Sequence, residues 1–485
     1  MSAPNASARL LFSLATVCVL CPAPALHAQG QNEMPITTSS KEALTLFYQG
    51  RDLYENYEKV DARAVLGQVI TKDPSFAMAY ALLVRDSGDE KARRDYLNKA
   101  LAQMDKVSPG EKLWLAASRA AMDADSVELV RLSDELVKLF PRDKHVLFRA
   151  AGIADGWKKN YPEAYAYYHQ ALALDPTFAA AFSELGYVCM RMGKYEEADQ
   201  AFQSYIKARP GRPNPHDSYA EFLLGRGRYD DSITQYQQAL DADSKWVGTY
   251  EGIGHNYVFK GDYAKARASY QQLSDHARNP DDHLDAQFWI AVSYLHEGRP
   301  VDALANLDRY RALAHELKQF QREFRAARYA SFIQMASGDL AAATRTLEST
   351  QKDLEGSAMS DPQKAWWRVY LKIMRANILT GVHAFDPASA LLVEVAGAPE
   401  VARDQSLARV LEASQGLLAL EQMQSAEALA HFTKADPGDP YLWLKQAQAW
   451  TQKGDLAKAT EWKGKIAACN DNSIGLALIR GKIAQ

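Results

Sequence analysis

The chain has 485 residues, more than a single compact core usually accommodates, so it is either several globular domains or an array that adds core piece by piece. With 47% hydrophobic and 24% charged residues and a mean hydropathy of -0.34, it carries too much apolar side chain for a disordered protein. A formal net charge of -4 argues against a nucleic-acid partner, which needs clustered Lys and Arg.

Met1 to Ala8 is polar, Arg9 is the first charge, and Leu10 to Leu20 is an almost unbroken apolar run followed by Pro22, Pro24 and small residues. This is the pattern of a secretory signal peptide, and the run is well short of the roughly 20 residues that span a membrane. Residues 1–28 read as a signal cleaved after Ala28 or Ala25, and 29–42 as a flexible N-terminal segment. Cys18 and Cys21 lack the leucine-then-small-residue context of a lipoprotein site, which disfavours a lipid anchor. The chain is therefore expected in the periplasm or outside the cell, without a stable transmembrane segment after cleavage. Loss of Arg9 takes the formal net charge from -4 to -5. The remaining cysteines, Cys189 and Cys469, lie far apart in different repeats and are expected as two separate thiols.

From about residue 43 the chain repeats. A first unit shows Gly50, Ala62, Leu66 and Asp73-Pro74, and Tyr80 to Val107 reads as a unit with a shortened first helix. The next shows Phe148, Gly152, Ala164, Tyr168, Ala171 and Pro176. A period of 34 then stands out: Gly193-Lys194-Tyr195 with Ala198, Gly227-Arg228-Tyr229 with Ser232, and Gly261-Asp262-Tyr263 with Ala266. It loosens through Gly298-Arg299-Pro300, Gly338-Asp339-Leu340 and Gly454-Asp455-Leu456. Each unit reads as two antiparallel helices. Phe182, Leu185, Gly186 and Cys189 form one apolar stripe; Gly193 suits a left-handed helix end; Ala198, Phe202 and Tyr205 face inward; Pro210 stops the second helix.

These residues resemble the tetratricopeptide repeat family, whose pattern runs aromatic, leucine and glycine, a tyrosine-like position, alanine, an aromatic, and a late proline. The resemblance is closest over 145–280, where Tyr250, Ile253, Gly254, Tyr257, Ala266 and Tyr270 also fit, and it returns at Gly416, Ala428, Phe432, Ala435 and Pro440. It implies an all-α fold: a right-handed α-α superhelix, or solenoid, of helix-turn-helix repeats over 43–355 and again over 409–485 with a capping helix. Between them, 356–408, with Trp366, Trp367 and a Gly381 to Pro387 link, reads as an irregular helical linker of degenerate repeats. The phrase Pro213-Asn214-Pro215-His216-Asp217-Ser218 resembles one found in bacterial members of the family, which include stand-alone exported chains and the sensory arms of larger regulators.

Catalytic spacing is missing. There is no His-Glu-x-x-His, no phosphate-cradling Gly-x-x-x-x-Gly-Lys, no Gly-x-Ser-x-Gly and no Cys-x-x-Cys. Glu196-Glu197, Asp230-Asp231 and Asp281-Asp282 sit where helices begin, and acids there complement the helix dipole. His255 and His296 read as structural or surface rather than catalytic, and Tyr168, Phe202, Tyr236 and Tyr270, spaced 34 apart, as core. No catalytic, cofactor or metal site is expected, and the function implied is a non-enzymatic scaffold of the cell envelope. The first helices of such solenoids line a concave groove. Projected inward, they present Arg149, Trp157, Tyr187, Arg191, Asp217, Glu221, Glu251, His255 and Phe259. That mixture of aromatics and both charges suits a peptide or protein partner. The alternative is an envelope glycan or other small polymer stacked on Trp157, Tyr187 and Phe259.

Overall fold

The computed structural model describes residues 33–86 and 90–480, so the expected signal segment 1–28 lies outside the described residues. The chain divides into two compact units, Met1–Met192 and Gly193–Gln485. Among the described residues all regular structure is helical.

In the first unit α1 (Lys41–Glu55) pairs with α2 (Lys59–Lys72), and α3 (Ala77–Asp86) with α4 (Glu90–Leu101). Then come α5 (Pro109–Met122) with α6 (Ser126–Leu139), α7 (Lys144–Gly156) with α8 (Tyr161–Leu174), and α9 (Ala179–Arg191). The ten-residue α3 is the shortened first helix that the sequence predicts. Residues 34–38, expected as part of a flexible segment, are tied to α5 and to the residues that cap α2 and α7. Met34 N donates to Asp143 Oδ2 at 2.8 Å, Thr37 N to Glu111 Oε1 at 3.0 Å, and Thr38 Oγ1 to Asp73 Oδ2 at 2.6 Å. Met34 itself is buried against Gly110 of α5 and Phe140.

The second unit opens with α10 (Tyr195–Ala208) and continues through α11 (Pro213–Gly225), α12 (Tyr229–Ala242), α13 (Thr249–Lys260) and α14 (Tyr263–Asp275). Longer helices follow: α15 (Pro280–His296), α16 (Pro300–Glu316), α17 (Phe320–Ala336), α18 (Leu340–Gly356) and α19 (Asp361–Gly381). The chain ends with α20 (Phe385–Ala396), α21 (Pro399–Arg403), α22 (Gln405–Glu421), α23 (Ser425–Phe432), α24 (Pro440–Gln452), α25 (Leu456–Ala467) and α26 (Ile474–Ile479). The stretch 356–408, expected as an irregular helical linker of degenerate repeats, holds the pair α19 with α20 and the short extra helix α21. One apolar core runs through it from Phe324 to Leu418. Trp367, Tyr370, Ile373 and Met374 supply the stripe that keeps the array continuous.

Turn chemistry explains the period. Gly193, Gly227 and Gly261 take φ of +72°, +71° and +77°, a conformation that costs glycine nothing and lets the next helix fold back. Where the glycine is missing the geometry survives without it: Lys159, His383 and Met423 hold φ of +52°, +59° and +64° at the same kind of turn. In some pairs a glycine of the first helix lies under a side chain sixteen residues later, as Gly254 lies under Tyr270 and Gly416 under Phe432. Tyr168, Phe202, Tyr236 and Tyr270 are buried core, as their spacing predicts. Among the described residues no helix is long and apolar enough to cross a membrane.

Candidate functional site

In the first unit, the residues expected to line a groove are largely tied to their neighbours. The Arg149 guanidinium lies 4.2 Å from the Trp114 ring centroid, and its Nη2 donates to Trp114 O and Ser118 Oγ, both at 3.4 Å. Arg191 pairs with Asp155 Oδ2 at 2.6 Å, linking α9 back to α7. Tyr187 is half-buried, whereas Trp157, the C-cap of α7, is 42% exposed. These side chains stitch first helix to first helix, and Trp157 is the large apolar surface that the stitching leaves open.

The second unit holds Asp217, Glu221, Glu251, His255 and Phe259. Burial, with Glu221 one turn on as the next cause, pushes the Asp217 carboxyl up to about 7, while the Thr249 hydroxyl donating to Oδ1 at 3.0 Å opposes the shift. Glu251 Oε1 stands 3.5 Å from His255 Nε2. The far end of the row is not an open groove. Phe259 is buried beneath Leu476, Ile479 and the Arg480 guanidinium, which lies 4.8 Å from its ring centroid. The chain's own C-terminal segment fills this place. Asn472 Nδ2 reaches His255 Nδ1 at 3.2 Å and Tyr270 Oη at 3.3 Å, and Asn472 Oδ1 meets His296 Nε2 at 2.9 Å. Asn470 Oδ1 accepts from Tyr229 Oη at 2.7 Å. His255 and Phe259, predicted as groove surface, are therefore the seat of α26, and Phe259 offers no face for a sugar to stack on. The signal was present in the sequence: Ile474 to Ile479 is uncharged all round, and such a turn buries itself. Burial drives the His296 imidazole down to about 4, so it stays neutral in this contact.

The seated segment leaves a hollow on the other side. It is walled by α15, α17, α19, α22 and α24, and α24 returns to α17 where Phe332 meets Tyr441 edge-on at 4.9 Å. One cavity here is about 740 Å³ and includes Trp289, Tyr329, Trp366, Tyr370 and Tyr441 in its walls. A second of about 490 Å³ shares Arg328, Trp366 and Ser406 with it, and a third of about 250 Å³ shares Phe288, Trp289 and Tyr329. Trp366 stacks on Tyr370 with an interplanar angle of 6°, and its Nε1 donates to Asp404 Oδ2 at 2.7 Å. Arg328 lies 5.3 Å from the Tyr329 and Tyr370 ring centroids. The sequence reading does not single these residues out as groove surface; for those beyond residue 298 the period loosens and inward register can no longer be projected. Cys189 is buried, Cys469 is part-buried, and both are thiols.

Two tetratricopeptide repeat family models match this chain, at residues 158–221 and 252–316. Among curated proteins it is similar to the general transcriptional corepressor ssn6 of Schizosaccharomyces pombe, 27% identical over 108 residues, covering 21% of this chain and 9% of that protein. The tetratricopeptide repeat-containing protein trd-1 of Caenorhabditis elegans is 24% identical over 196 residues, covering 40% and 24%. The chain thus spans less than a quarter of either relative's length. Among solved structures, yeast Tom70 has a TM-score of 0.41 at 16% identity, covering 64% of this chain and 67% of that one. A tetratricopeptide repeat protein from Parabacteroides merdae has a TM-score of 0.35 at 14% identity, covering 56% and 94%. Set among the helix pairs of both units, these two matches show that the chain carries tetratricopeptide repeats at 158–221 and 252–316.

Proposed function

We propose that this chain is a non-enzymatic scaffold that holds a protein or peptide partner inside the second unit and works in the cell envelope after its signal is removed. Repeat families of this kind are interaction scaffolds, and the apolar run in residues 1–28 supports export. The observation that carries the reading is the hollow of about 740 Å³ whose half-buried aromatic walls, Trp289, Tyr329, Trp366 and Tyr441, the fold leaves uncovered. Large aromatics and arginines in a partly desolvated recess are the usual anchors of a protein interface.

The test is crosslinking in the native envelope fraction followed by mass spectrometry, comparing wild type, a Tyr329→Ala, Trp366→Ala double variant and Trp157→Ala. A partner lost only in the double variant supports the hollow; one lost only with Trp157→Ala moves the site to the first unit. Recovery of no specific partner in any sample overturns the scaffold reading. Export is checked by sequencing the N-terminus of the purified protein. A start just after Ala25 or Ala28 supports it, and intact Met1 in the cytosol overturns it.

A further inference from the structure

The arginines of α17 are not alike. Arg322, Arg325 and Arg328 follow at intervals of three, so they share one side of the helix. Arg322 is neutralised by Asp285 at 2.6 Å and Asp281 at 3.3 Å, and deeper in the same unit Arg267 is neutralised by Glu297 at 2.8 Å. Among the described residues neither Arg325 nor Arg328 makes an ion pair, and neither guanidinium donates a hydrogen bond. Both line the cavity of about 490 Å³, a size within the range of roughly 300–1,000 Å³ for ligand pockets.

Arg328 is also held in place. The rings of Tyr329 and Tyr370 each lie 5.3 Å from its guanidinium carbon, so its planar fork is oriented in advance. A half-buried guanidinium without an acceptor is costly, and the group that best satisfies it is a carboxylate meeting two N–H donors at once. The cavity's own carboxylate cannot serve. Asp404 Oδ2 accepts from Trp366 Nε1 at 2.7 Å, and Oδ1 from Ser406 N at 2.8 Å, Ser406 Oγ at 2.5 Å and Leu407 N at 3.2 Å. It does hold the Trp366 ring at the boundary with the larger hollow. There, Asn377 Oδ1 is buried without a hydrogen-bond partner, an acceptor that a peptide N–H would satisfy.

We infer that Arg325 and Arg328 form a carboxylate-recognition site for an acidic side chain of the partner peptide, whose neighbouring apolar residue seats against Trp366. This rests on the scaffold reading above and names the chemistry of its partner. A phosphate is less well suited, because the negative Asp404 shares the cavity and would repel a second charge.

Ligand-observed NMR on the full chain tests it, with 3-phenylpropionate and 3-phenylpropionamide as matched probes. The acid should bind about tenfold more tightly than the amide, the worth of a hydrogen bond to a charged group. Arg325→Gln should remove that advantage while leaving the amide's affinity unchanged. Arg328→Gln should do the same, but because it also removes two ring contacts, Arg325→Gln with an unaltered melting curve is the deciding variant. Equal affinity for acid and amide, or an acid indifferent to Arg325→Gln, overturns the inference. So does tighter binding of phenyl phosphate than of the acid, or binding of an N-acetylglucosamine tetramer that is indifferent to Arg325→Gln. A crosslinked partner that survives Arg325→Gln but not the Tyr329→Ala, Trp366→Ala variant defeats this inference and leaves the scaffold standing.

Discussion

Gly254 has no side chain because the Tyr270 ring occupies the space that one would need. A Cβ there would lie 2.2 Å from the ring, and the ring cannot retreat, since it is fully buried and its hydroxyl is held by His255 at 2.9 Å and by Asn472. Gly254→Ala should therefore destabilise by ~1–3 kcal/mol in chemical denaturation, despite alanine's better helix propensity. Gly67→Ala meets nothing within 4 Å and should stabilise slightly. Asp217 gives a pH-dependent counterpart. Its carboxyl is raised to about 7 from an ordinary 3.8, so the folded state binds the proton more tightly than the unfolded chain does. Stability from this group is complete below the ordinary value and is lost as pH rises through about 7. Asp217→Asn keeps an acceptor for Thr249 and should stabilise more at about pH 8 than at about pH 5. The difference between the two gains should be on the order of 1–3 kcal/mol, read from denaturation midpoints.

At the scale of elements, the decisive piece is α26 with the loop before it. The helix is six residues long and could not persist alone. It exists because Ile474, Leu476, Ala477 and Ile479 are buried against older parts of the unit and because Ser473 caps its first turn. Asn472 bonds three partners at once, so Asn472→Ala takes the hydrogen-bond partner from His296 Nε2 and leaves His255 Nδ1 and Tyr270 Oη only their bond to each other. We expect a loss of ~1–3 kcal/mol in the second unit, with increased exposure of Phe259 and Leu224 detectable by dye binding. Acid should weaken the same contact. His296 is depressed to about 4 from 6.5, so its contribution is present above the ordinary value and lost as pH falls through about 4. Arg480 and His255, which face it, would then repel its charge. The paired helices were legible in advance because they carry their own apolar stripes and, at Gly193, Gly227 and Gly261, their own turn glycines. The seat of α26 was not, because nothing in a nearest-neighbour pattern says where a tail more than 170 residues downstream of His296 comes to rest.

Over the whole molecule, stability should behave as a sum of local terms, since within each unit a helix packs mainly on its neighbours in sequence. Gly110→Ala would press into Phe140 and Met34, at 2.5 and 2.6 Å. In hydrogen exchange it should deprotect α5, α6 and residues 34–38, and leave α22 to α25 unchanged. A uniform loss of protection would show one cooperative block instead. By itself the sequence determined the helical class, the 34-residue period, the glycine turns and the buried aromatic ladder, because each depends on contacts between residues fewer than about 40 apart. Only the tertiary structure decided which inward positions stay open. That depends on superhelical closure bringing α24 back to α17, on α26 filling the space beside Phe259, and on which arginines find carboxylates across the hollow. Arg322 and Arg325 are equivalent in any reading of helical register, and the difference between them lies in the position of Asp285 on another helix.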